Sequence, residues 1–232
     1  MSDTISIVPY FSGISDHSPE HTQQALNLRH EWFRYCLYSL NKISDPVFVG
    51  CCNDKDFKLL EPLAANNKIR ILYFKGLKQA EFLPYVLVTR VQQAFDDNDK
   101  GNVKYVYYTE MDQIFYAKDL DGMKKIIDND NDVYFSPQRF EQIPKENVSK
   151  RKEQFEVGDE RFVDFAGAYG AAYFCSSKLF LETEFISIDY QPTEQIGGHC
   201  LFRNKKSKCL KSKDLFHFHV DHLSGYEFNK NL

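Results

Sequence analysis

The fold is decided by an eleven-residue stretch, Val103-Lys104-Tyr105-Val106-Tyr107-Tyr108-Thr109-Glu110-Met111-Asp112-Gln113. Its first half is rich in β-branched and aromatic residues, which is typical of a buried strand. Its second half places Glu110 and Asp112 one residue apart, so both carboxylates face the same way on an extended backbone. Oxygen ligands in this arrangement suit Mg²⁺ or Mn²⁺. The stretch therefore predicts a strand that ends in a metal site, the alternative being a solvated polar turn.

Strands and helices alternate on the N-terminal side of this stretch. Strands are predicted at 5–10, 46–52 and 68–74, and helices at 23–42, 55–66 and 77–97. Pro62 is expected to break the second helix early. Three successive strand–helix units followed by a fourth strand predict an α/β fold, with a mostly parallel twisted sheet, helices on both faces and right-handed connections.

The C-terminal half has a less regular pattern. A helix is predicted at 119–129, a strand at 132–136, and helices at 177–185 and from Thr193. The polar segment 138–161 is expected to be a long exposed loop of the kind that forms lids. The small residues of 165–174 predict a close approach of the backbone to a ligand or a neighbouring strand.

Composition limits the class of protein. The chain has 232 residues and 27.2 kDa, which predicts one domain over 1–232. A net charge of −4 gives no general attraction for nucleic acid or an anionic membrane. Six cysteines without a Cys-x-x-Cys pair predict reduced, mostly buried thiols.

The first residues, Met1 to Thr4, lack the basic and apolar regions of a secretory leader, and no segment approaches the roughly 20 apolar residues that a membrane span needs. We therefore expect a cytoplasmic protein, although a lumenal domain separated from its anchor would have the same features.

The order of elements and the Glu110-Met111-Asp112 motif resemble the GT-A nucleotide-sugar glycosyltransferases, a family whose hallmark is Asp-x-Asp and which tolerates Glu at the first position. The resemblance covers most of the chain. It implies a Rossmann-like single domain, in which residues 1–113 bind the nucleotide and residues 114–232 form the acceptor side. It also implies a UDP- or GDP-sugar donor, a carbohydrate or other hydroxyl acceptor, and Mn²⁺ or Mg²⁺ as cofactor.

The resemblance also implies roles for particular residues. Six residues are predicted to contact the donor: Pro9, Tyr10, Phe11, Asn53, Arg90 and Glu110. The first three lie at the end of the first strand and would hold the nucleotide base, and Asn53 follows the second strand. Arg90 lies in the apolar stripe of the third helix, and Glu110 is the first acid of the motif. Lys205, Lys206 and Lys208 form a basic stretch that would also suit a diphosphate, although such a run is usually a solvated face.

Metal and catalytic roles follow in the same way. Glu110 and Asp112 are predicted metal ligands, joined by His219 or His222. Glu194, in the first turn of the helix predicted from Thr193, is the candidate general base, and its alternative role is an acid favoured by the helix dipole. Asp164 competes for the role of base or for hydrogen bonds to sugar hydroxyls.

The sequence is also compatible with other functions. His217-x-His219-x-Asp221-His222 matches the zinc signature of the metallo-β-lactamase superfamily, which suggests a zinc hydrolase, yet in that fold further ligands follow the signature over much of the chain. The same residues also fit a plain edge strand. A sugar nucleotidyltransferase would carry a basic, glycine-rich loop after the first strand, and no basic residue occurs in Pro9 to Gly13. A binding module that has lost its chemistry is the last alternative.

Overall fold

The computed structural model describes residues 2–11, 19–65, 68–77, 83–98, 102–111, 113–141, 162–164, 172–185 and 206–219. Within these residues the chain forms a nine-stranded sheet with helices packed on it. The five described cysteines, Cys36, Cys51, Cys52, Cys175 and Cys209, are free thiols, as predicted. No helix of the described part is long and apolar enough to span a lipid bilayer.

The N-terminal half of the sheet is fully parallel. Its strands are β1 (Thr4–Pro9), β2 (Val47–Cys51), β3 (Ile69–Tyr73) and β4 (Tyr105–Thr109). They lie in the order β3-β2-β1-β4. The helices between them are α1 (Pro19–Leu40), α2 (Asp54–Ala64) and α3 (Leu83–Asn98). This arrangement brings the carboxyl ends of β1, β2 and β4 to one edge of the sheet, where open α/β sheets bind ligands.

The C-terminal half is mixed. Its elements are β5 (Gln113–Ala117), α4 (Leu120–Asn129), β6 (Val133–Glu141), β7 (Phe162–Asp164), β8 (Ala172–Ser176), α5 (Ser177–Glu182) and β9 (Lys208–His219). The sheet continues from β4 in the order β8-β6-β9-β5, with β7 also beside β9. Among the described strands, β1, β2, β3, β4, β6 and β9 run in one direction and β5, β7 and β8 in the other, so the sheet is mostly parallel, as predicted.

The core has two layers because side chains of a strand alternate between the faces of the sheet. Tyr107 and Phe174 point into the layer formed with α1, α2 and α4. Tyr108 and Tyr173 stack on each other, with ring centroids 5.2 Å apart, in the layer formed with α3 and α5. Both faces of β1, β2, β4 and β8 are therefore buried, and the prediction of helices on both faces is confirmed.

Several elements differ from the sequence prediction. Strand β5 was not predicted, and β6 continues past Ser136 to Glu141 because it pairs with β9 beyond an irregularity at Pro137 and Gln138. Residues 138–141 of the expected loop therefore belong to β6, and residues 142–161 lie outside the described part. Pro62 does not break α2, since it lies in the last turn, where a missing N–H removes at most one helical bond.

Strand β9 is the fourth difference. The predicted edge strand lies inside the sheet, between β6 on one side and β5 and β7 on the other. The alternating pattern of its residues identified the strand but not its neighbours, because alternation reports burial of the faces rather than the pairing of the edges.

Candidate active site

The acidic motif forms the connection between β4 and β5 at the ligand-binding edge of the sheet. Glu110 follows the last residue of β4 and is partly buried, and Met111 is buried in the core. Gln113 opens β5, is completely buried, and donates its side-chain N–H to the Glu110 carboxylate. Asp112 lies outside the described residues. The Glu110 carboxylate is thus held at the carboxyl end of a central parallel strand.

Residues of helix α1 hold the backbone of this connection by hydrogen bonds. The Cys36 thiol donates to the carbonyl oxygen of Glu110, with Sγ and O 3.8 Å apart. The buried Ser39 hydroxyl accepts the backbone N–H of Phe115 at 3.1 Å and donates to the Cys36 carbonyl at 2.7 Å. These contacts join α1 to both ends of the acidic connection, so its position depends on the helix as well as on the sheet.

Strand β9 brings the backbone of two C-terminal histidines to the same end of the sheet. His219 pairs with Gln113, and His217 pairs with Phe115, in the antiparallel β5–β9 ladder. On its other side His219 pairs with Glu141 of β6. The side chain of His219 and the whole of His222 lie outside the described residues. The topology therefore places one predicted ligand, His219, beside the strand that begins directly after the acidic motif.

One described side chain suits the divalent cation that the sequence resemblance implies. Within the described part of the chain, no three His, Cys, Asp or Glu side chains come together as a metal site. The described contribution is the Glu110 carboxylate at the sheet edge. Asp112 precedes Gln113 in the sequence, and the backbone of His219 pairs with Gln113. A carboxylate oxygen is a hard ligand that suits Mn²⁺ or Mg²⁺ rather than a soft metal.

The end of β1 presents two aromatic residues with different surroundings. Tyr10 is completely buried and packs against Phe33, with ring centroids 4.6 Å apart. Its hydroxyl lies 3.1 Å from Nδ1 of His30, and burial, together with the charge of Arg34, lowers the pKa of that histidine. Phe11 is 38% exposed and is tied to the acidic connection through its N–H, which donates to the Met111 sulfur at 3.4 Å.

The two aromatic residues therefore differ in what they offer a ligand. Phe11 presents ring surface at the edge of the sheet, whereas Tyr10 belongs to the core. Pro9, the last residue of β1, is buried and pairs with Gly50.

Asn53 has a local structural function at the end of β2. It is the N-cap of α2, where its side chain accepts the N–H of Asp56 and donates to the Asp56 carboxylate, both at 2.8 Å. An N-cap of this kind satisfies a backbone donor that the first turn leaves unpaired. The residue lies at the ligand-binding edge, but both ends of its amide are already hydrogen-bonded within the helix terminus.

Arg90 and Lys208, two of the predicted diphosphate cations, have surroundings that the sequence did not predict. Arg90 does not belong to the apolar stripe of α3; it is exposed, while Leu87 and Val91 of the same helix are buried in the core. Lys208 begins β9 at the opposite edge of the sheet from Glu110 and forms an ion pair with Asp130 at 2.7 Å. The helical spacing of the sequence predicted Arg90 to lie in the buried stripe of α3. Arg90 is only the sequence neighbour of the buried residue Val91 and lies on the exposed side of the helix.

The acceptor-side candidates are only partly described. Glu194 lies outside the described residues. Asp164 ends β7, where its backbone pairs with Leu210 of β9, nine residues before His219. Because of the irregularity in β9, these nine residues lie beside only six steps of β6, from Phe135 to Glu141, which span about 20 Å. The described backbone therefore brings His219, but not Asp164, to the acidic motif.

Sequence reasoning missed Gln113 and Glu141 at this site. Gln113 was visible as a polar residue at the end of the acidic motif, but its burial follows only from the existence of β5. The position of Glu141 beside His219 depends on the pairing of β6 with β9, for which neither strand carries a local signal.

No family model matches the sequence, and no curated protein matches it at a significant level. Solved structures do resemble it. GalNAc-T7, with UDP, GalNAc and Mn²⁺, has a TM-score of 0.57 and 11% sequence identity over 96% of this chain and 44% of its own. TarS 1–349 from S. aureus, in complex with UDP, has a TM-score of 0.54 and 12% identity over 99% of this chain and 63% of its own.

A longer form of TarS from S. aureus has a TM-score of 0.55, and the match covers 38% of that chain. The protein thus spans between 38% and 63% of these three neighbours. At identities of 11–12% the likeness concerns the fold alone. The fold class predicted from the sequence, a mostly parallel α/β sheet of the GT-A-like type, is confirmed by this likeness.

Proposed function

We propose that the protein is a metal-dependent glycosyltransferase, which moves a sugar from a nucleoside-diphosphate donor to a hydroxyl acceptor. The observation that carries the proposal is the Glu110 carboxylate, held at the carboxyl end of β4 in a GT-A-like sheet. Structures with this fold contain UDP, and one of them contains Mn²⁺ as well. Residues 1–113 would bind the donor, and residues 114–232 would form the acceptor side of one domain.

The donor nucleotide would lie across the ends of β1, β2 and β4. Phe11 supplies an exposed ring that can stack on the nucleotide base. Stacking of this kind does not select one base, because every base has an aromatic face. Tyr10, buried against Phe33, anchors the end of β1 next to Phe11 in the chain. Pro9 and Asn53 shape the ends of β1 and β2. Because two structurally similar proteins contain UDP, a UDP-sugar is the first donor to test. Arg90 is the weakest of the proposed donor contacts because it is exposed on α3.

Glu110 and Asp112, with His219 or His222, would hold Mn²⁺ or Mg²⁺. A cation bound there would neutralise the diphosphate and act as a Lewis acid on the leaving group. The protein contributes the fixed orientation of the Glu110 carboxylate, which accepts the Gln113 N–H. Cys36 and Ser39 contribute a rigid backbone at this point, so that little reorganisation is needed when the donor binds.

On the acceptor side, Glu194 is the proposed general base. A carboxylate within hydrogen-bond reach of the acceptor hydroxyl would remove its proton as the new glycosidic bond forms. Asp164 is proposed only as a partner of sugar hydroxyls at a distance from the reacting atoms, because β7 pairs with an earlier part of β9.

A thermal-shift experiment tests the proposal. We expect UDP and UDP-sugars, each with Mn²⁺, to raise the midpoint of unfolding by about 5–10 °C at a hundredfold excess over Kd. The rise should disappear in Asp112→Ala. It should persist in the matched control Asp121→Ala, since Asp121 is an exposed acid in the first turn of α4. Release of free UDP in the presence of acceptor sugars would then identify transfer.

Two outcomes would contradict the proposal. No shift with UDP, GDP or their sugars, together with zinc that stays bound through purification, would favour a hydrolase built on His217, His219, Asp221 and His222. A shift with UDP that never leads to transfer or hydrolysis of a sugar nucleotide would favour a binding module.

A further inference from the structure

We propose that Gln113 is the positioning residue of the donor and metal site: its amide fixes the direction of the Glu110 carboxylate, and Thr109 fixes the direction of the amide. The inference rests on the proposed function, which it deepens by adding two residues that no acid-x-acid motif contains. Both residues flank the motif in sequence, one at the end of β4 and one at the start of β5.

The hydrogen bonds define one orientation of the amide. The Thr109 hydroxyl donates to Oε1 of Gln113, at 3.0 Å, and Nε2 of Gln113 donates to the Glu110 carboxylate. An ionised carboxylate can only accept hydrogen bonds, so it requires the N–H end of the amide. A rotated amide would bring its oxygen against the carboxylate oxygens, and the two would repel each other.

Burial makes this arrangement strict. Thr109 and Gln113 are both completely buried, so neither side chain can turn to water as an alternative partner. A buried polar group that loses its partner is costly. The three side chains of Thr109, Gln113 and Glu110 are therefore linked in series, and a change at the first is transmitted to the last.

The arrangement compensates for the glutamate at the first position of the motif. Glutamate has one more methylene than aspartate and one more rotatable bond, so its carboxylate samples more directions. The Gln113 amide holds one carboxylate oxygen, Oε2, and thereby sets where the second one points. A longer acid thus acquires a fixed direction from its neighbour three residues later.

Gln113 also lies between the two groups of predicted ligands. Its backbone pairs with His219 in the β5–β9 ladder, while its side chain contacts Glu110. Residues that orient a metal ligand without touching the metal typically change metal affinity by about 10- to 100-fold when they are mutated. We expect an effect of this size at Gln113.

The test compares the affinity of the full chain for UDP with and without Mn²⁺, measured by calorimetry. Gln113→Met keeps the length of the side chain and removes both hydrogen-bonding ends. We expect the gain in UDP affinity that Mn²⁺ provides to fall by about 10- to 100-fold, while the affinity without Mn²⁺ changes little. A residue that only stabilised the fold would weaken both affinities together.

A second pair of variants protects the test against misfolding of Gln113→Met. Thr109→Val has the same shape but lacks the hydroxyl, and Thr109→Ser keeps it. The Mn²⁺-dependent gain should fall in Thr109→Val and return in Thr109→Ser. Equal gains in wild type, Thr109→Val and a folded Gln113→Met would overturn the positioning role while leaving the proposed function intact. A wild-type protein that binds no nucleotide with Mn²⁺ would overturn both.

Discussion

Ser39 shows how one hydroxyl connects a helix to an edge strand. Its oxygen accepts the Phe115 N–H, and its proton is donated to the Cys36 carbonyl. Ser39→Ala would leave a buried N–H of β5 without a partner, so we expect the free energy of unfolding to fall by about 1–3 kcal/mol. Urea denaturation measures this change. Ser177→Ala, at a partly exposed position in α5, is the control and should stay within about 0.5 kcal/mol of wild type.

An equal effect of the two serine substitutions would show that the Ser39 hydroxyl contributes nothing specific. The loss at Ser39 should also reduce the Mn²⁺-dependent affinity for UDP if α1 supports the acidic connection as we propose, because Cys36 and Ser39 lie within one helical turn.

His30 predicts a dependence of stability on pH. Burial, and then the charge of Arg34, lowers the pKa of His30 below its usual value of 6.5. The unfolded chain therefore binds the proton more readily, so the stability that is present above pH 6.5 is lost as the pH falls towards the folded-state pKa. We expect wild type to lose more stability than His30→Gln between about pH 7.5 and 5.5.

Urea midpoints of both proteins at the two pH values measure this difference. The other histidines contribute to both proteins alike, so the comparison isolates position 30. A pH dependence that is the same in wild type and variant would mean that the imidazole beside Tyr10 does not titrate differently on folding.

The contact between β2 and α3 depends on a glycine. A methyl group at Gly50 would lie 2.8 Å from Cδ2 and 2.9 Å from Cδ1 of Leu87, closer than carbon atoms pack. We expect Gly50→Ala to lower the free energy of unfolding by about 1–3 kcal/mol through overpacking. Leu87→Ala alone should cost about 2–5 kcal/mol, since Leu87 is completely buried.

The double variant is the informative measurement. Gly50→Ala with Leu87→Ala removes the close approach, so it should be less destabilised than the sum of the single variants. Denaturation of the four proteins gives the coupling energy. Strict additivity would mean that the strand, rather than the leucine, moves to accept the methyl group.

At the level of elements, sequence reasoning worked best where the signals were local. Strands β1 to β4 each carry an apolar run between helical segments, so their type and order could be predicted. Strand β5 is short, begins directly after the acidic connection, and pairs with residues about a hundred positions away. Tyr10 and Phe11 illustrate the limit for the site: adjacent aromatics at a strand end do not reveal which one is buried until α1 is in place.

The whole molecule joins two differently connected halves of one sheet. In the first half each strand is parallel to its neighbours and linked to the next by a helix, so alternation of elements was enough to predict it. In the second half β9 pairs with β6, β7 and β5, and so joins β5 and β7 to the sheet. The two predicted ligands lie in different halves of the sheet: Glu110 follows β4, and the backbone of His219 in β9 pairs with Gln113. No periodicity in the sequence predicts this pairing.

The pairing of β5 with β9 also governs the order in which the protein can fold during translation. Strands β2, β3 and β4 each find a parallel partner that has already been synthesised, whereas β5 must wait for residues 215–219. At 5–20 residues per second, about a hundred residues take about 5–20 s to synthesise. During that interval β5, including Phe115, has no partner strand. We therefore expect the nascent chain to expose an unpaired apolar strand to chaperones until β9 has left the ribosome.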